Sequence, residues 1–267
     1  MPLSSRALRA LVAGLSLVSI AAFVCPAHVA AHGQAPSPPG ITVFAASDLA
    51  LAFQEIIPLF ERAAGAKVTL VPGSTGTLAQ QIQNGAPADL FFAADESYVD
   101  DLSKQGLILP DTRLLYAQGR IVLAMAKTSA TVVSSLKDLL NPDIRRVAIA
   151  NPAHAPYGLA AEEALEAAGV WNSIKPKLVY GENVRQALQF VQSGAAEAGI
   201  VARSVADVPD IRWTLLDASL HSPLNQAAAV LKRTPHPDLA RAFLRFVNGP
   251  EARPIMKRFG FLLPGEF

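Results

Sequence analysis

Four short stretches of this sequence put hydroxyl groups and glycine-flanked backbone where apolar strand patterns give way to helical ones. They are Ala45-Ala46-Ser47-Asp48, Pro72-Gly73-Ser74-Thr75-Gly76-Thr77, Asn151-Pro152-Ala153-His154-Ala155-Pro156-Tyr157-Gly158 and Gly181-Glu182-Asn183-Val184. Ser, Thr and Asp at such turns are ordinary helix caps, and each loop taken singly needs no further reading. Together they suggest a site. Free N–H groups and the positive end of the helix dipole favour an anion at a helix N-terminus, and small residues allow the backbone to come close. In open α/β sheets, ligands bind beyond the carboxyl ends of the strands. The chemistry such a set can do is to hold a small oxyanion with neutral donors.

Catalytic arrangements are less well supported. Ser74 with a histidine and an acid would suit a hydrolase, but Gly73-Ser74-Thr75-Gly76 is not the G-x-S-x-G elbow that exposes a nucleophile. Neither a phosphate-binding G-x-x-x-x-G-K-[ST] loop nor an H-E-x-x-H zinc helix occurs in the sequence. Among the five histidines, His154 alone falls in one of the four loops. Asp89 and the pair Asp95-Glu96 bracket an apolar strand and read as caps or loop ties. Arg185, next to Val184, is the nearest cation to the proposed site; it would pair with Glu182 or Gln189, or strengthen the anion field.

The elements that must carry these loops follow from apolar periodicity. Residues 41–45, 67–71, 89–93, 120–126, 146–150, 177–180, 198–202, 212–216 and 226–231 read as buried strands. Between them lie helical faces: Leu49, Phe53, Ile56, Ile57 and Phe60; Val184, Ala187, Leu188 and Val191; and Leu239, Phe243, Leu244 and Val247. Gly65 and Gly249-Pro250 are stop signals, and the helix after the third loop is expected to open near Leu159. Alternation of this kind predicts mainly parallel sheets covered by helices.

The chain has 267 residues, 51% hydrophobic and 17% charged, enough apolar material for one large domain or two modest lobes. Twenty-three basic residues against 22 acidic ones give +1, which excludes the broad basic field of a generic nucleic-acid binder. One cysteine excludes an intrachain disulfide framework and a cysteine-based zinc cluster. Arg6 and Arg9, an apolar run from Ala10 to Val24 and the small exit Val29-Ala30-Ala31 describe a cleaved secretory signal over residues 1–31. Val24 before Cys25 does not suit a lipobox. Residues 32–40 read as a disordered lead-in, and the protein is expected in the periplasm.

Taken together, these motifs resemble the periplasmic molybdate-binding proteins that serve ABC transporters. The resemblance is carried by Val43-Phe44-Ala45-Ala46-Ser47-Asp48-Leu49, by Gly73-Ser74-Thr75-Gly76 with Gln81-Ile82, and by the run Gly85-Ala86-Pro87-Ala88-Asp89-Leu90-Phe91-Phe92-Ala93-Ala94-Asp95. Further along come Asn151-Pro152 with Ala155-Pro156-Tyr157-Gly158, Asn183-Val184 with Ala187-Leu188, Gly199-Ile200-Val201, and Gly249-Pro250 with Phe259-Gly260-Phe261. It implies a two-lobed α/β periplasmic binding protein fold of type II, with two mainly parallel sheets flanked by helices and a hinge of two crossover segments. Lobe 1 would be residues 41–118 plus 225–267, and lobe 2 residues 119–224.

The resemblance further implies a non-enzymatic monomer that captures molybdate or tungstate between its lobes and passes it to a membrane permease, with no other cofactor. Ser47, Asp48, Ser74, Thr75, Tyr157 and Val184 would bind the oxyanion, Val184 through its backbone N–H. Ser47, Thr75, Tyr157 and Val184 would hold the molybdenum only through its oxygens, never by direct coordination. Ala202 stands where many relatives carry a tyrosine, so Tyr157 would supply the phenol. Asp48 stands where relatives place Ser or Asn; a carboxylate facing a dianion repels it, so Asp48 is expected to cap its own helix and offer its backbone N–H. Phosphate, which carries protons, would instead use Asp48 as an acceptor, and phosphate, sulfate or a small hydrolase substrate remain alternatives.

Overall fold

A computed structural model describes residues 39–267. The expected signal segment and the lead-in up to residue 38 lie outside the described residues. Two five-stranded sheets make up the frame. The first has the order β2 (Lys67–Gly73), β1 (Gly40–Ala46), β3 (Leu90–Ala93), β10 (Leu224–Val230) and β4 (Leu114–Gly119). The second has the order β7 (Leu178–Gly181), β6 (Val147–Ala150), β8 (Ala198–Ala202), β5 (Ile121–Ala126) and β9 (Ile211–Leu215).

Each sheet is mixed. β1 runs parallel to β2 and β3, and β6 to β7 and β8, as strand–helix alternation predicts. β10 is antiparallel to β3 and β4, and β5 to β8 and β9. The antiparallel pairs arise where the chain changes sheets. β4 passes into β5 with only Arg120 between them, and the chain returns from β9 to β10 through residues 216–223. β4 itself escapes the apolar pattern because Leu114-Leu115-Tyr116-Ala117-Gln118-Gly119 ends on a polar residue and a glycine.

Helices cover both sheets. They are α1 (Ala50–Ala64), α2 (Thr75–Gln83), α3 (Glu96–Lys104), α4 (Pro156–Ala167), α5 (Trp171–Ile174), α6 (Val184–Gln192), α7 (Arg203–Ala206), α8 (Pro237–Val247) and α9 (Arg253–Arg258). α4 opens at Pro156, three residues before the expected Leu159, because proline is pre-set for the first helical position and needs no N–H partner there. Against the first sheet, Phe53 of α1, Phe92 of β3 and Phe243 of α8 meet edge to face, with centroids 5.2, 5.7 and 5.9 Å apart. Such pairs add roughly 0.5–1.5 kcal/mol each to the area they bury. Ile121, Leu123, Val147, Ile149, Ile200 and Val191 fill the second core. These cores fix the strand ends from which the four loops rise.

Candidate functional site

Ser47, Asp48, Ser74, Thr75, Tyr157 and Val184 all line one small cavity of about 10 Å³, half open to solvent, where the loops after β1, β2, β6 and β7 converge. All six are buried. Asp48 is the one charged side chain among the lining residues.

Local structure decides which donors face the cavity. Thr75 is the first residue of α2, and its Oγ1 accepts the Ala94 N–H at 3.0 Å, which leaves its own proton free to donate. Asn183 caps α6 by accepting from the N–H groups of Arg185 and Gln186, so the Val184 N–H is not consumed by the cap. Ser47 opens a short 3-10 turn, Ser47–Leu49, directly after β1. Ser74 caps α2, with its Oγ 2.9 Å from Thr77 Oγ1 and 2.8 Å from His154 Nδ1. That hydroxyl is engaged by Thr77 and His154.

Asp48 does not cap. The cap position of its turn is Ala46 and no side chain bonds there. The carboxylate turns inward instead: Oδ2 accepts from the Tyr157 hydroxyl at 2.9 Å and from Gln226 Nε2 at 2.7 Å, and the same Nε2 lies 2.9 Å from the Tyr157 oxygen. Tyr157 therefore spends its single proton on Asp48. Gln226, on β10 and fully buried, is a residue the sequence reading missed. Its signal was an amide inside the apolar strand Leu224-Asn225-Gln226-Ala227-Ala228-Ala229-Val230, since a buried amide needs partners. Gly119 was missed as well: a Cβ there would overlap the Tyr157 hydroxyl and meet Gln226 Nε2 at 2.9 Å.

Asp48 Oδ1 and Gln226 Oε1 are buried with no hydrogen-bond partner. Burial pushes the Asp48 carboxyl up to about 6, against the lowering effect of the bonds from Gln226 and Tyr157. Burial and the neighbouring Asp48 raise the Tyr157 phenol well above its ordinary range, so it stays protonated. Tyr116 is raised in the same way and donates to the Ala93 carbonyl at 3.1 Å.

The two lobes also touch beside the cavity. The Gly76 N–H donates to the His154 carbonyl at 2.9 Å, and His154 Nε2 lies 3.5 Å from Glu182. His154 Nδ1 shares the Ser74 hydroxyl with Thr77 Oγ1. Arg185 lines an adjoining cavity that shares Ser47 and Asn183 with the first. Asp89 ties β1 to the segment after β10, accepting from Thr42 N–H at 2.6 Å and from Thr234 Oγ1 at 2.5 Å; Asp95 caps α3, and Glu96 pairs with Arg113.

Residues 41–262 match the family model described as bacterial extracellular solute-binding protein. The molybdate-binding protein ModA of Rhodobacter capsulatus is 35% identical over 78% of this chain and 82% of its own. ModA of Escherichia coli is also 35% identical, over 84% and 89%. The chain belongs to this family of bacterial extracellular solute-binding proteins. The periplasmic molybdate-binding protein of Azotobacter vinelandii superposes on this solute-binding protein with a TM-score of 0.79, at 33% identity over 84% of this chain and 99% of the other. The cavity lies at the junction of four loops. What distinguishes the lining of this one is its composition: hydroxyls, backbone N–H groups and a single carboxylate.

Proposed function

We propose that this protein captures molybdate, and with it tungstate, between its lobes and delivers the anion to the membrane permease of an ABC transporter. The observation that carries the reading is the cavity lined by the Thr75 and Ser47 hydroxyls and the Val184 N–H. A fully deprotonated tetrahedral dianion accepts from every direction, and fixed neutral dipoles replace its water shell with little reorganisation. Its relatives include molybdate-binding proteins. Lobes spanning 41–118 with 225–267, and 119–224, would close as rigid bodies about the two crossovers. The protein works as an exported, periplasmic monomer without catalytic turnover. Among the described residues no helix is long and apolar enough to cross a membrane.

One observation favours a second reading. The unpartnered Asp48 Oδ1 would accept a hydrogen bond from a ligand that carries a proton, such as hydrogen phosphate. Calorimetric titration with molybdate, tungstate, sulfate and phosphate in one buffer tests both. One-to-one binding of molybdate and tungstate with sulfate and phosphate silent is the expected result. Binding of phosphate alone would replace the first reading with the second, and silence from all four would reject both.

A further inference from the structure

We infer, on the reading that the cargo is a fully deprotonated dianion, that the protein takes up one proton with each anion and holds it on Asp48. Two features of the site require it. The first is charge: the cavity contains one charged side chain, and that is a carboxylate. A dianion added beside an ionised Asp48 would gather three negative charges in a small space without a cation among its lining residues.

The second is the direction of the hydrogen bonds. Tyr157 gives its proton to Asp48 Oδ2, so its oxygen has none left for the anion. Asp48 Oδ1 has lone pairs but no hydrogen-bond partner of good geometry, the nearest donors to the carboxyl besides Tyr157 and Gln226 being the N–H groups of its own turn, Asp48 and Leu49. A deprotonated oxyanion has only lone pairs as well. One proton from solvent resolves the conflict by either of two routes. On Oδ1 it makes Asp48 a donor to the anion. On Oδ2 it lets Asp48 donate to the Tyr157 oxygen and releases the phenol proton toward the anion. Gln226 Nε2 holds both oxygens in either case. No bond to the anion forms or breaks, and the balance is one carboxylate and one solvent proton giving one carboxylic acid.

Other charged groups near Asp48 are engaged elsewhere. Tyr157 from α4, Tyr116 from β4 and Gln226 from β10 face it directly. Of the elements packed on its turn, α6 carries Arg185, which lines the adjoining cavity, and α7 carries Arg203, which stacks on Trp213 and pairs with Asp207. β2 carries Lys67, paired with Glu61 of α1, while Glu55 of α1 pairs with Arg258 and Arg62 completes that helix's charges. His154 is bonded to Ser74. Burial already brings the Asp48 carboxyl up to about 6, so protonation near neutral pH asks little of the free protein.

Calorimetry with molybdate in two buffers of different ionisation enthalpy counts the protons. Near pH 8 about one proton per anion is expected, falling to about half near pH 6, where half of the free protein is already protonated. Between those values the affinity should weaken with rising pH, toward about tenfold per unit on the alkaline side. Asp48→Asn, or Asp48→Ser should the first variant fold poorly, is expected to abolish the uptake and make the affinity independent of pH. His154→Gln is expected to keep the uptake, which separates Asp48 from the nearest histidine. Molybdate binding without net proton uptake in the wild type, or uptake persisting in both Asp48 variants, would overturn the inference alone. Silence toward molybdate and tungstate would overturn the underlying reading together with it.

Discussion

The buried carboxylate makes a signed prediction about stability that needs no ligand. In the anion-free protein Asp48 takes its proton at about 6, against 3.8 for an unperturbed aspartate. A rise of about two units corresponds to about 3 kcal/mol between the two protonation states. Because the folded value is the higher one, the folded state binds the proton more tightly. Ionisation of Asp48 therefore destabilises the fold by about 3 kcal/mol above pH 6, and this cost disappears as the pH falls from about 6 to below 3.8. Asp48→Asn removes the titration. Its amide oxygen can still accept from Tyr157 and Gln226, but its NH2 is buried where Oδ1 has no partner, a loss of about 1 kcal/mol. The variant should be more stable than wild type by about 2 kcal/mol at pH 7.5 and less stable by about 1 kcal/mol near pH 3. Urea denaturation of both proteins across this range, stripped of anions, measures the difference. Carboxylates held low by partners, such as Glu55, Asp100 and Asp138, lose stability on acidification in both proteins and cancel. A difference that stays flat with pH would refute the assignment of a raised value to Asp48.

Three further substitutions probe the site. Thr75→Ala removes the hydroxyl whose acceptor side is pinned by Ala94, and should weaken molybdate binding by about 1–3 kcal/mol in calorimetry, the cost of a hydrogen bond to a charged group; an unchanged Kd would remove Thr75 from the site. Gly76→Ala places a Cβ 2.9 Å from the His154 carbonyl, where backbone must move, and strains the N–H···O bond between the lobes. Affinity should fall about five- to tenfold, equally for molybdate and tungstate, since about 1 kcal/mol is lost from closure rather than from anion contacts. Arg185→Gln should slow anion association several-fold at low ionic strength in stopped-flow fluorescence, with the gap closing in about 0.5 M salt; equal rates at low salt would leave Arg185 without a role in capture.

The four loops that carry the six residues implied by the resemblance meet in one cavity, and the signals that named those loops are local. A strand's end, a small residue and a capping side chain within about four positions fix where the Ser47, Ser74–Thr75, Tyr157 and Val184 backbones lie, whatever the rest of the chain does. The direction in which Asp48 points is not local. It is set by a phenol 109 residues away and an amide 178 residues away, both delivered by the crossovers that also turn two strand pairs antiparallel in each sheet. The capping role expected for Asp48 failed for that reason: in sequence, its neighbours offer only helix N–H groups, while in space Tyr157 and Gln226 both donate to its Oδ2. Gln226 shows that the non-local part still leaves a trace. An amide with no exposed surface, followed by three buried alanines, must be bonded to something, and the something had to be another polar group buried with it. The same reasoning applies to the acceptors that remain without a donor. Asp48 Oδ1 and Gln226 Oε1 are a cost to the empty protein, and a ligand or a proton that satisfies them recovers that cost on binding. The polar groups left unsatisfied in the free fold are thus where binding energy and proton linkage should be looked for together.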